Sequence, residues 1–258
     1  RGLREWVAVL PQRLLVPTNS GAGDPFTHTW TDGFGTTANV TTQSFTMLLQ
    51  IAKAASYIHR FAGLILPSLT ITARGAGKVE FSADVKGIGA AVATTEPIVT
   101  LPTEGYYIGR KTTMTVGGTD VSKQLREVSV TLASGMAVLD RAGSTDATGT
   151  SVDRAERVKI TGSYTVDEGV AGVSAVGSNG GFNDYDGQNA GRAIVLTLLG
   201  DTNRDCVLTI KQARLVGSYE EQVSEHGVYG VTRKFEGILD GSNNYLTAAT
   251  RDDVAAYA

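Results

Sequence analysis

The chain has 258 residues and a formal net charge of −3, from 23 Lys and Arg against 26 Asp and Glu, and it carries 31 Gly, 6 Pro and a single Cys. A chain this long buries about 70–75% of its unfolded surface and needs no disulfide or metal staple, and Cys206 alone forms neither an internal disulfide nor a Cys-rich zinc site. The balanced charge lacks the basic stripe that displaces counterions from phosphates, so stable nucleic-acid binding is not expected.

Residues 1–60 read as an N-terminal segment with an extended arm and a helix. The run Val7–Leu10 closes at Pro11 and makes no signal-peptide core, and the first residue is not Met, so the start is expected to be processed or incomplete. Residues 17–40 carry little pattern. Between Thr42 and Ile58, Leu48, Ile51, Ala52 and Ala55 recur at helical spacing behind the potential caps Thr42 and Ser44, which predicts one short helix. The longest uncharged apolar-rich stretch, 61–73, contains Pro67 and falls short of the roughly 20 residues that span a bilayer, so a soluble protein with no membrane insertion is expected.

From residue 61 to 258 the sequence reads as one β domain. Thr and Val, which suit a pleated half-buried surface, are abundant, and Gly supplies turns. Leu69 and Ile71 alternate with Thr70 and Thr72, and Val79, Phe81, Ala83 and Val85 with Glu80, Ser82, Asp84 and Lys86; Ala73–Gly77 joins the two as a hairpin. A second amphipathic pair follows, Val128, Val130 and Leu132 against Glu127, Ser129 and Thr131, then Val158, Ile160, Tyr164 and Val166 against Lys159, Thr161, Ser163 and Thr165. The two pairs are alike enough to suggest an internal duplication. Long loops are predicted at 88–112, 140–155 and 167–192. Ile194–Leu199 and Val207–Ile210 are apolar on both sides and predict strands covered on both faces. The expected fold is mainly β, a sandwich or barrel with one short helix and two amphipathic hairpins.

Catalytic and metal readings are weak. Asp201-Thr202-Asn203-Arg204-Asp205 opens like a calcium loop, but position six is Cys206 and position twelve is Gln212, where a turn Gly and a bidentate acid belong. Asn183, Asp184, Asp186 and Asn189 around Gly187 read as an Asx-rich turn. His28, His59 and His226 are scattered, and Gly172-Val173-Ser174-Ala175-Val176-Gly177 misses the nucleophile-elbow spacing. No catalytic residue, metal or cofactor is expected, and Cys206 reads as an inert packing thiol. Tyr106 with Tyr107, or Trp30 with Phe34, offers a glycan-stacking platform; the plainer reading is that these rings anchor loops on the body or on a partner.

The order of elements, together with Leu66-Pro67-Ser68-Leu69-Thr70-Ile71-Thr72 and the stretch Gly77–Gly87, resembles the major tail tube protein of long-tailed, siphovirus-type bacteriophages. That family typically shows such a Thr/Ser-rich hairpin closing on Gly. The resemblance continues through Met114–Gly118 and Leu125–Leu132 and ends in Gly227–Gly237, covering roughly residues 60–250 as pattern and leaving residues 1–60 unmatched.

The resemblance implies a structural virion protein, not an enzyme, made in the host cytoplasm and assembled into the tail. Hexameric rings would stack into a tube, each subunit lending two hairpins to a ring-wide inner β-barrel. Its partners would be itself and other tail proteins at the tube ends, with DNA passing through without stable binding. On that reading Thr70, Thr72, Glu80, Ser82, Asp84, Glu127, Ser129, Thr131, Thr161 and Ser163 face the lumen, and Lys78, Lys86, Arg157 and Lys159, of the same parity, are expected near the hairpin ends. Pro97, Ile98, Val99, Leu101, Pro102, Tyr106, Tyr107 and Ile108 supply an inter-subunit loop. The inner tube of a contractile tail or secretion system, or a monomeric surface β-sandwich that binds glycans, are the alternatives.

Overall fold

A computed structural model describes residues 16–20, 26–31, 45–50, 58–87, 92–94, 106–139, 151–154, 158–168, 191–200, 205–216, 220–223, 229–239 and 246–252. The strands are β1 (Val16–Ser20), β2 (Phe26–Thr31), β3 (Phe45–Gln50), β4 (Ile58–Arg74), β5 (Glu80–Gly87), β6 (Val92–Thr94), β7 (Thr113–Val116), β8 (Thr119–Asp120) and β9 (Leu125–Ala133). They continue with β10 (Met136–Leu139), β11 (Ser151–Arg154), β12 (Lys159–Glu168), β13 (Arg192–Leu199), β14 (Asp205–Leu215), β15 (Glu220–Val223), β16 (Tyr229–Ile238) and β17 (Leu246–Asp252). A single 3-10 turn, Gly109–Lys111, is the one helical element among the described residues.

The fold is mainly β. A 15-stranded antiparallel sheet runs β1-β2-β17-β14-β16-β12-β9-β4-β3, with β5 and β6 on β4, β13 between β14 and β7, β8 on β7 and β15 on β16, while β10 and β11 pair as a separate ribbon. The alternation in the sequence decides which side is buried. Leu69 and Ile71 of β4, Val128 and Val130 of β9, and Ile160 and Tyr164 of β12 all lie inward, and each buried apolar side chain of this size contributes about 1.5–3 kcal/mol. Ile194, Leu196 and Leu198 of β13 and Leu208 and Ile210 of β14 join the same contiguous core.

One strand and one turn bring these two sets together. β14 pairs with β13 and β17 through Asp205–Ile210 and then with β16 through Gln212–Leu215, so it carries the ladder from one half of the sheet into the other. Val79 N–H donates to Tyr107 O at 3.0 Å, Gly109 N–H to Gly77 O at 2.7 Å and Ile108 N–H to Leu199 O at 3.2 Å, tying the β4–β5 tip to the end of β13. Both halves of the sheet thereby contribute to one core. Among the described residues it closes no barrel.

Strand β4 tolerates Pro67 because its register with β5 shifts between Ile65 and Ser68, and a bulge is where a residue without an N–H belongs. The Pro67 carbonyl is used instead, accepting from Ser134 N–H at 2.8 Å. Buried Ser134, followed by Gly135 at φ 69°, turns the chain out of β9 into β10.

Several expectations are corrected. The predicted helix over Thr42–Ile58 is replaced at Phe45–Gln50 by β3, which pairs antiparallel with β4, and Ile58 itself opens β4. The short apolar run Met47–Leu49 fits either period, and an available ladder on β4 outweighs local helix preference. The 140–155 loop holds β11 at Ser151–Arg154, paired with β10. The 88–112 loop holds β6, paired with β4, and an ordered segment from Tyr106 onward. Asp167 and Glu168 end β12 and Arg192 opens β13, so the 167–192 loop is shorter than predicted. In β13 and the first half of β14 burial alternates, so these strands are fully covered on one face and half-covered on the other.

Gly162 of β12 lies in register between Val130 and Phe235. A methyl group there would press into the Phe235 ring and come within 2.6 Å of Ser129 O. Gly162→Ala should therefore destabilise the fold by about 1–3 kcal/mol, measured as a lower urea midpoint at unchanged m-value. Combining it with Phe235→Leu should cost less than the two changes summed, because they share one volume. A wild-type midpoint for Gly162→Ala would show that the ring has room to spare.

Candidate functional site

The polar side of the four strands β5-β4-β9-β12 is built by register. Thr70 stands opposite Ser82 on β5 and Thr131 on β9, and Thr131 opposite Thr161 on β12; one pleat away, Thr72 stands between Glu80 and Ser129, and Ser129 opposite Ser163. Glu127 lies opposite Arg74, and Asp84 opposite Ser68. Every residue assigned to the lumen in the sequence thus falls on one uninterrupted sheet face. The face is knitted by its own hydroxyls: Thr70 Oγ1 and Thr131 Oγ1 are 2.9 Å apart, Thr72 Oγ1 and Ser129 Oγ 3.3 Å, and Ser68 Oγ donates to Asp84 Oδ2 at 2.8 Å. Cross-strand pairs of this kind contribute about 0.2–1 kcal/mol each, less than the apolar burial beneath them.

The face extends beyond the predicted hairpins. β16 adds Thr232, Lys234 and Glu236, opposite Thr165, Ser163 and Thr161, and β14 adds Arg214 opposite Glu236. Thr165 Oγ1 and Thr232 Oγ1 lie 2.7 Å apart, and Arg214 Nη2 reaches Glu236 Oε2 at 3.3 Å. The sequence signal for this strand is the alternation of Thr232, Lys234 and Glu236 with Val231 and Phe235. It is broken by Arg233, which is buried on the apolar side opposite Tyr164. A shallow hollow of about 400 Å³ lies over this junction, lined by Ser129, Thr131, Thr161, Ser163, Lys234 and Glu236 among others.

Charge on the face is dispersed. Arg74 Nε donates to Glu127 Oε1 at 2.8 Å, an exposed pair worth at most about 1 kcal/mol. Lys78 precedes β5, Lys86 is the penultimate residue of β5 and Lys159 opens β12, while Arg157 lies outside the described residues. Strand β5 pairs with β4 alone, apart from its approach, where Lys78 bridges to Ile108; the rest of its outer edge has no strand partner among the described residues.

Of the inter-subunit loop, Pro97, Ile98, Val99, Leu101 and Pro102 lie outside the described residues. Tyr107 is 3% exposed with its ring 6.4 Å from Phe81, so its side chain belongs to the chain's own core and is not available to a neighbour. Packing behind the β5 approach explains this placement. Tyr106 is exposed, and Ile108 is half-buried.

The remaining sequence candidates are dispersed. Asp205 opens β14 and is clamped by Arg251, whose Nε donates to Asp205 Oδ1 at 2.8 Å, so its carboxylate is committed away from a calcium loop; 201–204 and 183–189 lie outside the described residues. The Asp205 carboxylate, by hydrogen bonding and charge, raises the Arg251 pKa. His28 is buried in β2, His59 is in β4, and His226 and Phe34 lie outside the described residues, as do Gly172–Gly177; of Trp30 only its place in β2 is described. No group of three His, Cys, Asp or Glu suited to a metal occurs among the described residues. No helix among them is long and apolar enough to cross a membrane.

The chain matches no protein-family model and no curated protein sequence.

Cys206 is buried in β14, and burial, reinforced by the neighbouring Asp205, pushes its thiol up to about 12 from an ordinary 9.0. The unfolded chain then releases this proton near pH 9 while the folded chain holds it to about pH 12. Stability contributed by the neutral thiol is complete below pH 9 and falls between about 9 and 12, by at most about 1.4 kcal/mol per pH unit. The stability difference between wild type and Cys206→Ala should be flat below about pH 8 and decline through that window in chemical denaturation. A difference independent of pH would mean the thiol titrates alike in both states.

Proposed function

We propose that this chain is the repeating subunit of a DNA-conducting tail tube, similar to the major tail tube protein of long-tailed bacteriophages. On this reading the sheet folds as a sandwich whose inner leaf, β5-β4-β9-β12, contributes to a ring-wide barrel in a homohexamer, and stacked rings form the tube in the virion tail. The observation that carries the reading is the single polar face on which Thr70, Thr72, Glu80, Ser82, Asp84, Glu127, Ser129, Thr131, Thr161 and Ser163 converge.

Two physical arguments support it. Among the described residues the outer edge of β5 beyond its first residues has no strand partner and is a template for another chain, and ring closure removes such edges. A wall of small hydroxyls with interspersed acids hydrates well and gives sliding phosphates little to bind, and screening confines the repulsion of Glu80 and Asp84 to about 8 Å at physiological salt. Ile108 and the segment 97–102 remain the proposed contacts between neighbouring subunits or rings; Tyr106, exposed beside Lys78, is not among them.

Electron microscopy of the purified protein tests the assembly: six-fold rings or tubes are expected, with the Thr70–Thr131 face inward. A monodisperse monomer at high concentration, or a map with that face outside, would refute it. Particles carrying Glu80→Lys with Asp84→Lys should still assemble, since the change is confined to the polar face, but should eject DNA more slowly and with a steeper dependence on salt than wild type. Ejection kinetics equal to wild type at every salt concentration would remove these residues from the wall.

A further inference from the structure

The tip of the β4–β5 hairpin is held rigidly against the 3-10 turn. Gly109 N–H donates to Gly77 O at 2.7 Å, Lys111 N–H to Ile108 O at 3.0 Å and Thr112 N–H to Gly109 O at 2.9 Å. The contact is close enough that a Cβ on Gly109 would lie 2.8 Å from Gly75 O. This clamp presents Lys78, Arg110, Lys111 and Tyr106 at one corner of the sheet, all exposed. Lys78 lies on the same side as Glu80, because Val79 between them is fully buried, so the corner continues the polar face.

Among the described residues Glu80, exposed on the same side as Lys78, carries no ion pair, and the other nearby charges are committed. Arg74 pairs with Glu127, and Arg126 with Asp167. Asp120 accepts from Ser122 N–H at 2.9 Å, and hydrogen bonding to Ser122 lowers its pKa. By contrast, no carboxylate among the described residues pairs with Lys78, Arg110 or Lys111. Lys78 Nζ rests 4.3 Å from the Tyr106 ring centroid, a cation–π contact that positions the ammonium without neutralising it. In a chain of net charge −3, three cations without an ion-pair partner among the described residues, beside an exposed aromatic ring, form a local polyanion site that the overall charge hides.

We infer that this corner is a phosphate-contact site for DNA, with Lys78, Arg110 and Lys111 taking the phosphodiester backbone and the Tyr106 ring lying against sugar or base. The choice of DNA among polyanions rests on the tail-tube reading; the cation cluster does not. Contacts this few are weak and salt-dependent, which suits a polymer that must move past them.

Fluorescence anisotropy of a labelled short DNA duplex, titrated with the full chain at about 20–200 mM salt, tests the site and reads DNA bound per chain whether or not tubes form, so failed assembly bears on the tube reading alone. Wild type should show log K falling with log salt at a slope of about −2 to −3, from three phosphates at about 0.9 each. The triple variant Lys78→Gln, Arg110→Gln, Lys111→Gln should flatten the slope and weaken binding about tenfold or more at the lowest salt. Each single variant should remove about one unit of slope, which keeps the test intact if the triple variant misfolds. Lys86→Gln, at the far end of β5, should leave the slope unchanged. No wild-type binding at the lowest salt, or an unaltered slope in the variants, overturns the proposal. So does polyglutamate competing as well as unlabelled duplex, which assigns the corner to an acidic protein segment instead.

Discussion

Ile71 stands between Phe81 of β5 and Val130 of β9, and the rest of the molecule follows from that register. Side chains in a strand alternate, so a slip of one residue would move Leu69 and Ile71 into solvent and Thr70 and Thr72 into the core. Burial of each apolar side chain contributes about 1.5–3 kcal/mol, against about 0.2–1 kcal/mol for a hydroxyl pair such as Thr70 with Thr131. The buried side therefore selects the alignment, and the rows of Thr and Ser opposite it come into line as a consequence.

That ordering makes the polar face self-sufficient. Its hydroxyls bond to one another across strands, and Glu127 and Glu236 are each met by an Arg. The Thr and Ser side chains of this face are short and bonded across to neighbouring strands. Phe235 crossing over Gly162 locks β12 to β16 beneath it, which extends the same face by a strand and more.

Rigidity elsewhere comes from places where the ladder changes partner. β14 serves both halves of the sheet, and the turn at Gly109–Lys111 fastens the hairpin tip to β13. The same fastening gathers cations at the tip, so the acids of β5 and the basic corner share one face a few residues apart. At physiological ionic strength each acts over about 8 Å, and Lys78 and Glu80, two residues apart at about 3.3 Å per residue, lie within that reach, so the acids of β5 temper the corner beside them.

Much of the central sheet was legible from the sequence alone. Period-two alternation identified β4, β5, β9 and β12 and sorted Thr70, Ser82, Ser129 and Thr161 from Leu69, Phe81, Val130 and Ile160, because parity is a local property of an extended chain. Residues 45–50 were misread because a short apolar run satisfies both helical and strand periods, and only the vacant ladder on β4 decides between them. The share of β16 in the polar face was hidden by Arg233, a charged residue on the buried side. Tyr106 and Tyr107 are indistinguishable in sequence, yet one is buried against Phe81 and its neighbour is exposed beside Lys78. Alternation determines which residues share a face; which faces meet, which strands adjoin and which charges are left unpaired depend on contacts between residues far apart in the chain, and only the tertiary structure decides them.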